Sequence, residues 1–197
     1  MQLNDDNISV DRRPIVAVVG DARLDEDSEK YRIAEQLGHA LITARYRLVT
    51  GGLGGVMEAV SRGARSSPEH QDGDILAILP GKDPCEANGY ADICIATGID
   101  TARNVIISNS DALIAIGGGS GTLSEIAMAW AHGRLILGYR VDGWSGEFAD
   151  QRVDSRIRYP DILDDRVYGV SSKEEALKYL NLIPLYNTRS SGIKWRK

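Results

Sequence analysis

Two glycine-rich segments directly follow apolar runs of the kind that form buried strands. One is Thr50-Gly-Gly-Leu-Gly-Gly55, the other is Gly117-Gly-Gly-Ser-Gly-Thr122, and a helix-forming stretch follows each. Backbone N–H groups in the first turn of a helix have no intrahelical acceptor, and glycine lets an anion approach them closely. Such turns favour phosphate binding, although glycines there also serve simply to close a tight strand-to-helix connection.

Two long glycine clusters in equivalent positions make phosphate binding the better interpretation. Ser120 and Thr122 add hydroxyl donors to the backbone groups of the second cluster. Gly20 ends the first apolar run and would lie at the same edge of a parallel sheet. The predicted ligand and phosphate contacts are Gly20, Thr50, Gly51, Gly52, Gly54, Met57, Gly118, Gly119, Ser120, Gly121 and Thr122.

Two charged residues lie near these turns in the sequence. Glu125 falls in the first turns of the helix that follows Thr122, where a carboxylate suits ribose hydroxyls or acid/base chemistry beside a sugar. An early-helix acid is also favourable against the helix dipole alone. Arg103 is either a surface cation or a fixed guanidinium for a phosphate or a leaving group. Spacing alone does not choose between these alternatives.

Several common phosphate-ligand chemistries lack their signatures. The first strand continues as Gly20-Asp-Ala-Arg23, without the G-x-G-x-x-G of dinucleotide folds, and no G-K-[ST] closes a P-loop. Hydride transfer from NAD and ATPase chemistry are therefore disfavoured. Cys85 and Cys94 form no C-x-x-C pair and no histidine stands at metal-ligand spacing, so no metal site is expected.

Strands and helices alternate along the elements that must position these residues. Apolar runs predict strands at 14–20, 47–50, 74–80, 91–96, 112–116 and 135–137, and helical periodicity predicts helices at 28–44, 56–64, 101–110, 122–132 and 171–180. This alternation implies right-handed crossovers. We therefore predict an α/β fold, namely a single doubly wound Rossmann-like domain with a mainly parallel sheet and helices on both faces. Residues 142–168 are mostly polar and are predicted to be irregular.

Composition gives the expected boundaries and compartment. We predict a flexible polar arm at 1–13, the Rossmann-type domain at 14–183 and a basic tail at 184–197. The formal charge of −5 argues against a nucleic-acid partner, even though the tail is basic. No apolar stretch approaches the roughly 20 residues of a membrane span, and no signal peptide is visible. A cytoplasmic protein without a membrane partner is expected.

The motifs resemble a known superfamily. Gly118-Gly-Ser-Gly-Thr-Leu-Ser-Glu125 is similar to the GGxGTxxE core of the LOG (LONELY GUY) family, long labelled "possible lysine decarboxylases". Arg103 falls at the arginine of that family's second motif, and Thr50–Met57 resembles its earlier glycine loop. Members with the full pattern are cytokinin-activating phosphoribohydrolases, which release the base from a nucleoside 5′-monophosphate. The resemblance implies catalytic roles for Arg103 and Glu125, and a homodimer or higher homo-oligomer.

Two departures shift the resemblance toward a sister branch of the superfamily. The family's proline before the glycines is Gly117 here, and the lysine after its arginine is Asn104. The sister branch contains Rossmann-like nucleotide-binding proteins and molybdenum-cofactor carriers. One hypothesis is thus a nucleoside-monophosphate phosphoribohydrolase that requires no cofactor. The alternative is a non-catalytic carrier or sensor of a nucleotide or of molybdenum cofactor.

Met128 and Trp130, beside Ala127 and Ala129, indicate a helix face that could pack against a partner. Methionine and aromatic stripes at helical spacing are, however, more often part of a core. The prediction of a homodimer therefore depends mainly on the resemblance.

Overall fold

Seven parallel strands form one sheet in a computed structural model of the chain, which describes residues 12–186. They are β1 (Ile15–Gly20), β2 (Arg47–Thr50), β3 (Ile75–Leu79), β4 (Ile93–Ala96), β5 (Ala112–Ile116), β6 (Leu135–Tyr139) and β7 (Val167–Val170). The order is β4-β3-β2-β1-β5-β6-β7, with every neighbouring pair parallel. The direction of winding changes at β1, so a crevice opens between the carboxyl ends of β1 and β5.

Helices cover both faces of the sheet. They are α1 (Glu29–Thr43), α2 (Val56–Arg65), α3 (Asn104–Ser108), α4 (Ser120–Ala131), α5 (Trp144–Phe148), α6 (Lys173–Leu180) and α7 (Ile183–Tyr186). One apolar cluster joins α1, α2, α6 and α7 to one face, and a second joins α3, α4 and α5 to the other. The predicted doubly wound α/β fold is confirmed. Among residues 12–186 no helix combines the length and the apolar character that a membrane span needs.

Helices α1 and α2 touch through two glycines. A Cβ on Gly38 would lie 1.9 Å from the carbonyl oxygen of Val60, and one on Gly63 would lie 1.8 Å from that of Glu35. No methyl group fits at those distances, so both glycines are required for the two backbones to approach. This contact fixes the position of α2 against α1, and with it the position of the glycine loop that precedes α2.

The prediction of an irregular segment at 142–168 is partly wrong. Helix α5 lies inside it, and its end leads into β7, which completes the sheet. The local pattern of β7 is weak because the strand has four residues, includes Gly169 and follows a charged stretch. The strand is specified by its neighbours instead: it pairs with β6, and the Gly169 N–H donates to the Asp150 carboxylate at 3.1 Å.

The suggested partner face on α4 is wrong for Trp130. Its side chain is fully buried in the second apolar cluster, and the Arg158 guanidinium lies 3.7 Å from the ring centroid. The Trp130 indole N–H also donates to Asp154 at 2.9 Å. Trp130 therefore anchors the 152–158 loop, in keeping with the more common structural role of such aromatic residues.

The ends of the described range are held against the domain. Arg12 pairs with Asp111 at 2.7 Å, and Arg13 forms an ion pair with Asp74. Tyr186 is buried and its hydroxyl donates to Asp165 at 3.0 Å. The rest of the predicted arm, residues 1–11, and of the predicted basic tail, residues 187–197, lies outside the described residues.

We expect Gly63→Ala to lower the free energy of unfolding by about 3 kcal/mol, because α1 and α2 must separate to admit the methyl group. Equilibrium unfolding in urea measures this change. Gly89→Ala is the matched control, since a Cβ there meets nothing within 4 Å, and it should shift stability by less than about 0.5 kcal/mol. Equal stability of Gly63→Ala and the wild type would contradict the close contact.

Candidate functional site

A pocket of about 250 Å³ lies at the carboxyl ends of the central strands. It occupies the crevice between β1 and β5, where the winding direction changes. Its lining consists of Val19, Gly20, Ala22, Leu53, Met57, Pro80, Asp100, Thr101, Arg103, Asn104, Gly121, Thr122 and Glu125. The location fits the region in which open α/β sheets bind ligands.

The pocket brings together only part of the predicted set. Gly20, Met57, Arg103, Gly121, Thr122 and Glu125 line it, whereas Thr50, Gly51, Gly52, Gly54, Gly118, Gly119 and Ser120 do not. The ligand contacts of all these residues stay predictions. Sequence reasoning missed the lining residues Val19, Ala22, Leu53, Pro80, Asp100 and Thr101. The carboxyl end of the β3 run could have pointed to Pro80, and Leu53 lies inside the first glycine-rich segment, but no motif marks the other four.

The second glycine turn is held from behind by the start of α5. The Ser145 hydroxyl accepts from the Gly117 N–H at 2.7 Å, and the Ser145 and Trp144 N–H groups donate to the carbonyls of Gly117 and Gly118. By contrast, within residues 12–186 the N–H groups of Ser120 and Gly121 have no protein acceptor, because the N-cap Gly119 offers no side chain. These groups, at the positive end of the α4 dipole, remain available to an anion.

Gly117 has a structural reason to replace the proline of the resembling family. Proline cannot adopt the Gly117 φ of +64°. It also lacks the N–H that Gly117 donates to the Ser145 hydroxyl. A Cβ there would also lie 2.2 Å from the Asp21 carboxylate and 2.8 Å from the Lys30 ammonium, which pair with each other at 2.8 Å. The glycine thus makes room for an ion pair behind the turn.

The first glycine loop serves close packing. A Cβ on Gly55 would lie 2.2 Å from the Asp21 carbonyl oxygen, and one on Gly52 would meet Ala77 and Leu79 at 2.8 Å. Both glycines have positive φ, and the Thr50 hydroxyl accepts from the Gly52 N–H at 3.1 Å. The tight-turn role of glycine therefore holds here, and phosphate binding by this loop stays a prediction.

Arg103 is buried, with 8% of its surface exposed. It ends the short 3-10 helix Asp100–Arg103, and its guanidinium fills the space that a side chain at Gly51 would occupy, 2.3 Å from the Cβ position. Its Nε and Nη1 atoms have no hydrogen-bond partner among the described residues. Burial lowers the pKa of Arg103, while Glu125 opposes the change. Two unsatisfied donors of a buried cation point toward an acceptor that residues 12–186 do not supply.

Glu125 lies across from Arg103 on α4, and Nη1 is 3.9 Å from Oε1. This separation exceeds a hydrogen bond, so the pair attracts electrostatically without satisfying either group. Burial raises the pKa of Glu125 to about 7, although the Arg103 charge acts in the opposite direction. Burial is the larger effect here, because the carboxyl is 6% exposed and accepts no hydrogen bond from Arg103. A carboxyl of this kind can both give and take a proton near neutral pH.

Asn104 connects α3 to the first turn of α4. Its Nδ2 donates to the Ser124 hydroxyl at 2.8 Å, which donates to the Gly121 carbonyl at 2.7 Å. Asn104 makes this bridge with an uncharged amide donor at a site that is 4% exposed, where the ammonium of a lysine would be costly to bury. The second departure from the resembling family thus links the two helices without a buried charge.

We expect the raised pKa of Glu125 to make stability fall as pH rises. Between pH 4.5 and 7 the folded protein keeps a proton on Glu125 that the unfolded chain has released. The free energy of unfolding therefore decreases across this interval, with a slope approaching about 1.4 kcal/mol per pH unit from this group. Glu125→Gln should remove that component in urea unfolding at several pH values, and exposed Glu69→Gln should keep it. An unchanged slope in Glu125→Gln would contradict the raised pKa.

Comparison with known proteins agrees with the fold. Residues 13–166 match the model of the SLOG cluster4 family. An uncharacterised protein of Archaeoglobus fulgidus is 49% identical over 123 residues, 61% of this chain and 76% of that protein. The cytokinin riboside 5′-monophosphate phosphoribohydrolase LOG5 of Arabidopsis thaliana is 29% identical over 163 residues, 75% of this chain and 71% of that protein.

A solved structure supports the sister branch. The molybdenum cofactor binding protein from Rippkaea orientalis superposes with a TM-score of 0.70 at 31% identity, covering 88% of this chain and 98% of that chain. The resemblance to the LOG-like superfamily, on the side of the molybdenum-cofactor carriers, is confirmed. Because the family model spans most of the sequence, the chain belongs to the SLOG cluster4 family.

Proposed function

We propose that the chain binds a nucleoside 5′-monophosphate or a closely similar phosphorylated ligand and hydrolyses its N-glycosidic bond. One observation carries the proposal: a buried guanidinium, two of whose donors find no acceptor in residues 12–186, faces a buried carboxyl whose pKa is about 7. Ionisable groups perturbed in this way, on the wall of a pocket, are the usual mark of acid/base chemistry. No cofactor is required for hydrolysis of this kind.

The phosphate would bind at the start of α4. The N–H groups of Ser120 and Gly121, with the hydroxyls of Ser120 and Thr122, supply donors near the positive end of the helix dipole. Glu125 follows Thr122 by three residues on the same helix, so a sugar joined to that phosphate would reach the carboxyl.

Proton transfer through Glu125 balances the reaction. The protonated carboxyl donates to the base nitrogen as the bond to C1′ of the ribose breaks, and the carboxylate then takes a proton from the water that adds to C1′. The products are the free base and ribose 5-phosphate, with Glu125 protonated again. Arg103 would hold an oxygen on the ribose or leaving side with its two free donors.

A carrier or sensor that holds a nucleotide or molybdenum cofactor without turnover is the second candidate. It is favoured by the two departures at Gly117 and Asn104, and by the similarity to the Rippkaea orientalis protein. The same phosphate contacts at α4 would serve a pterin phosphate. The two candidates differ only in whether the bound ligand is cleaved.

Chromatography of AMP and other nucleoside monophosphates after incubation with the purified protein separates the two candidates. We expect release of free base and ribose 5-phosphate, and a loss of at least about 100-fold in rate for Arg103→Ala and for Glu125→Ala. Glu125→Gln should retain ligand binding without turnover.

Arg45 and Glu69 provide a matched control, because they form an exposed Arg–Glu pair. Their charged atoms are 3.5 Å apart, and neither residue lines the pocket. Alanine at either position should leave the rate unchanged. Tight binding of a nucleotide or pterin with no release from any substrate would overturn hydrolysis and leave the carrier.

We also propose a homodimer formed through an apolar groove. Ile93, Ile95, Val105 and Ile106 are each 43–50% exposed, and the last three line a groove of about 460 Å³ beside β4 and α3. Exposed apolar patches on soluble proteins commonly mark interfaces. A second copy is the occupant we favour, because the charged residues of the lining, exposed Arg12 and buried Asp111, already neutralise each other. A two-fold contact would then bury both grooves without like-charge repulsion.

Size-exclusion chromatography with light scattering tests this interface. We expect a dimer for the wild type and a monomer for Ile106→Glu, because the new carboxylates would be buried without partners. Leu163→Glu is the control, since Leu163 is 96% exposed and lies away from the groove. A wild type that is monomeric at micromolar concentration, or an Ile106→Glu dimer, would exclude this interface.

A further inference from the structure

We propose that Asp100 selects ligands whose ring carries two adjacent N–H donors, the 2-amino-4-oxo-pyrimidine edge that guanine and pterins share. The inference depends on the proposed function, since it concerns the ring of the ligand bound in the same pocket. It adds the chemical class of that ring and a residue that recognises it. Neither family motif includes Asp100.

The chain fixes Asp100 at the pocket through its backbone. The Thr97 and Gly98 N–H groups donate to the carbonyls of Leu79 and Gly81, and the Asp100 N–H donates to the Pro80 carbonyl at 3.1 Å. Asp100 has a φ of +51°, a left-handed conformation that aspartate adopts more readily than most residues other than glycine. The segment after β4 therefore follows the end of β3 closely and carries Asp100 to the wall of the pocket.

The Asp100 carboxylate is the exposed acid of this pocket. Of the two carboxyl groups in the lining, that of Glu125 is buried and paired with Arg103, whereas that of Asp100 is exposed, acts on Arg103 only through its charge, and forms no hydrogen bond or ion pair within the described range. An aspartate in the first turn of a short 3-10 helix is also favourable against that turn's dipole. A turn of four residues has only a small dipole, so this contribution is weak.

The neighbouring walls suit a flat ring. Val19, Leu53, Met57 and Pro80 supply apolar surface, while the polar lining consists of Thr101, Arg103, Asn104, Thr122 and the two acids. With the phosphate at α4 and the sugar between Arg103 and Glu125, the ring would extend toward β3 and Asp100. A carboxylate there is the group that can discriminate between ring edges.

Carboxylate geometry determines which edge fits. Its two oxygens accept two parallel N–H bonds and donate none. Guanine and pterins present a ring N–H beside an exocyclic amino group, which matches both oxygens. Hypoxanthine has the ring N–H but no amino group, and the corresponding edge of adenine offers an unprotonated ring nitrogen. The two sources of the preferred edge, a guanine nucleotide and a pterin, are separated by the experiment.

Equilibrium binding by titration calorimetry tests the selection, using GMP, IMP and AMP as one arm and a pterin and its matching lumazine as the other. GMP and IMP differ only in the 2-amino group, and in the lumazine an oxygen replaces that group. We expect GMP to bind at least about tenfold more tightly than IMP, or the pterin at least about tenfold more tightly than its lumazine, or both. The arm with the tighter ligand identifies the source.

Asp100→Asn should reduce that preference to within about twofold while leaving IMP binding unchanged. An amide has one accepting oxygen beside an NH2 donor, so it cannot accept two parallel N–H bonds on two atoms. Asp100→Gly should do the same, and it suits the positive φ, so a folding defect cannot produce the result. Asp72→Asn, at an exposed site near the amino end of β3, is the control and should keep the preference.

Two failures are distinguishable. Binding of AMP or IMP as tight as that of GMP, with no preference for the pterin over the lumazine, would overturn the role of Asp100 and leave the proposed function intact. A preference that survives in Asp100→Asn would do the same. No binding by any of the five probes would overturn the proposed function and this inference together.

Discussion

The contact of the Arg103 guanidinium with Gly51 and Glu125 is the interaction on which the candidate site depends. A buried cation whose partner lies 3.9 Å away is costly, because hydration is lost and the ion pair does not fully replace it. The fold tolerates this cost since three elements fix the arrangement: the loop after β2, the 3-10 helix after β4, and α4. A ligand acceptor at the two unsatisfied nitrogens would recover part of the cost, so binding and local stability are coupled.

The sequence alone predicts most of the sheet, because β1, β2, β3 and β5 are buried on both faces and therefore appear as uninterrupted apolar runs. It fails at β7, whose four residues acquire strand geometry only from β6 and Asp150. It also assigns Trp130 to a partner face, because the aromatic stripe of α4 does not reveal that Arg158 covers the ring. In both cases the deciding contact comes from far along the chain.

The candidate site was predictable to a similar degree. Glycine turns at strand ends, and the motif positions of Arg103 and Glu125, marked the edge of the sheet at which the pocket lies and part of its lining. The role of Gly51 was not foreseeable, because it depends on a guanidinium 52 positions away entering the space left by a missing side chain. Asp100 was missed for a related reason: what brings it to the wall is a backbone hydrogen bond to Pro80, which no side-chain pattern encodes.

Electrostatics connects the two departures from the phosphoribohydrolase pattern with the chemistry at Glu125. Asn104 contributes no charge, and Lys30 is already neutralised by Asp21, so Arg103 is the cation nearest to the carboxyl in the pocket lining. A phosphate bound at α4 would bring negative charge close to Glu125 and raise its pKa further. The carboxyl would then be protonated in the complex at neutral pH, which is the form that donates to a leaving base. The positive charge of a lysine at position 104 would have opposed this rise in the Glu125 pKa. Its absence therefore favours the protonated form of Glu125, which is compatible with a hydrolase as well as with a carrier.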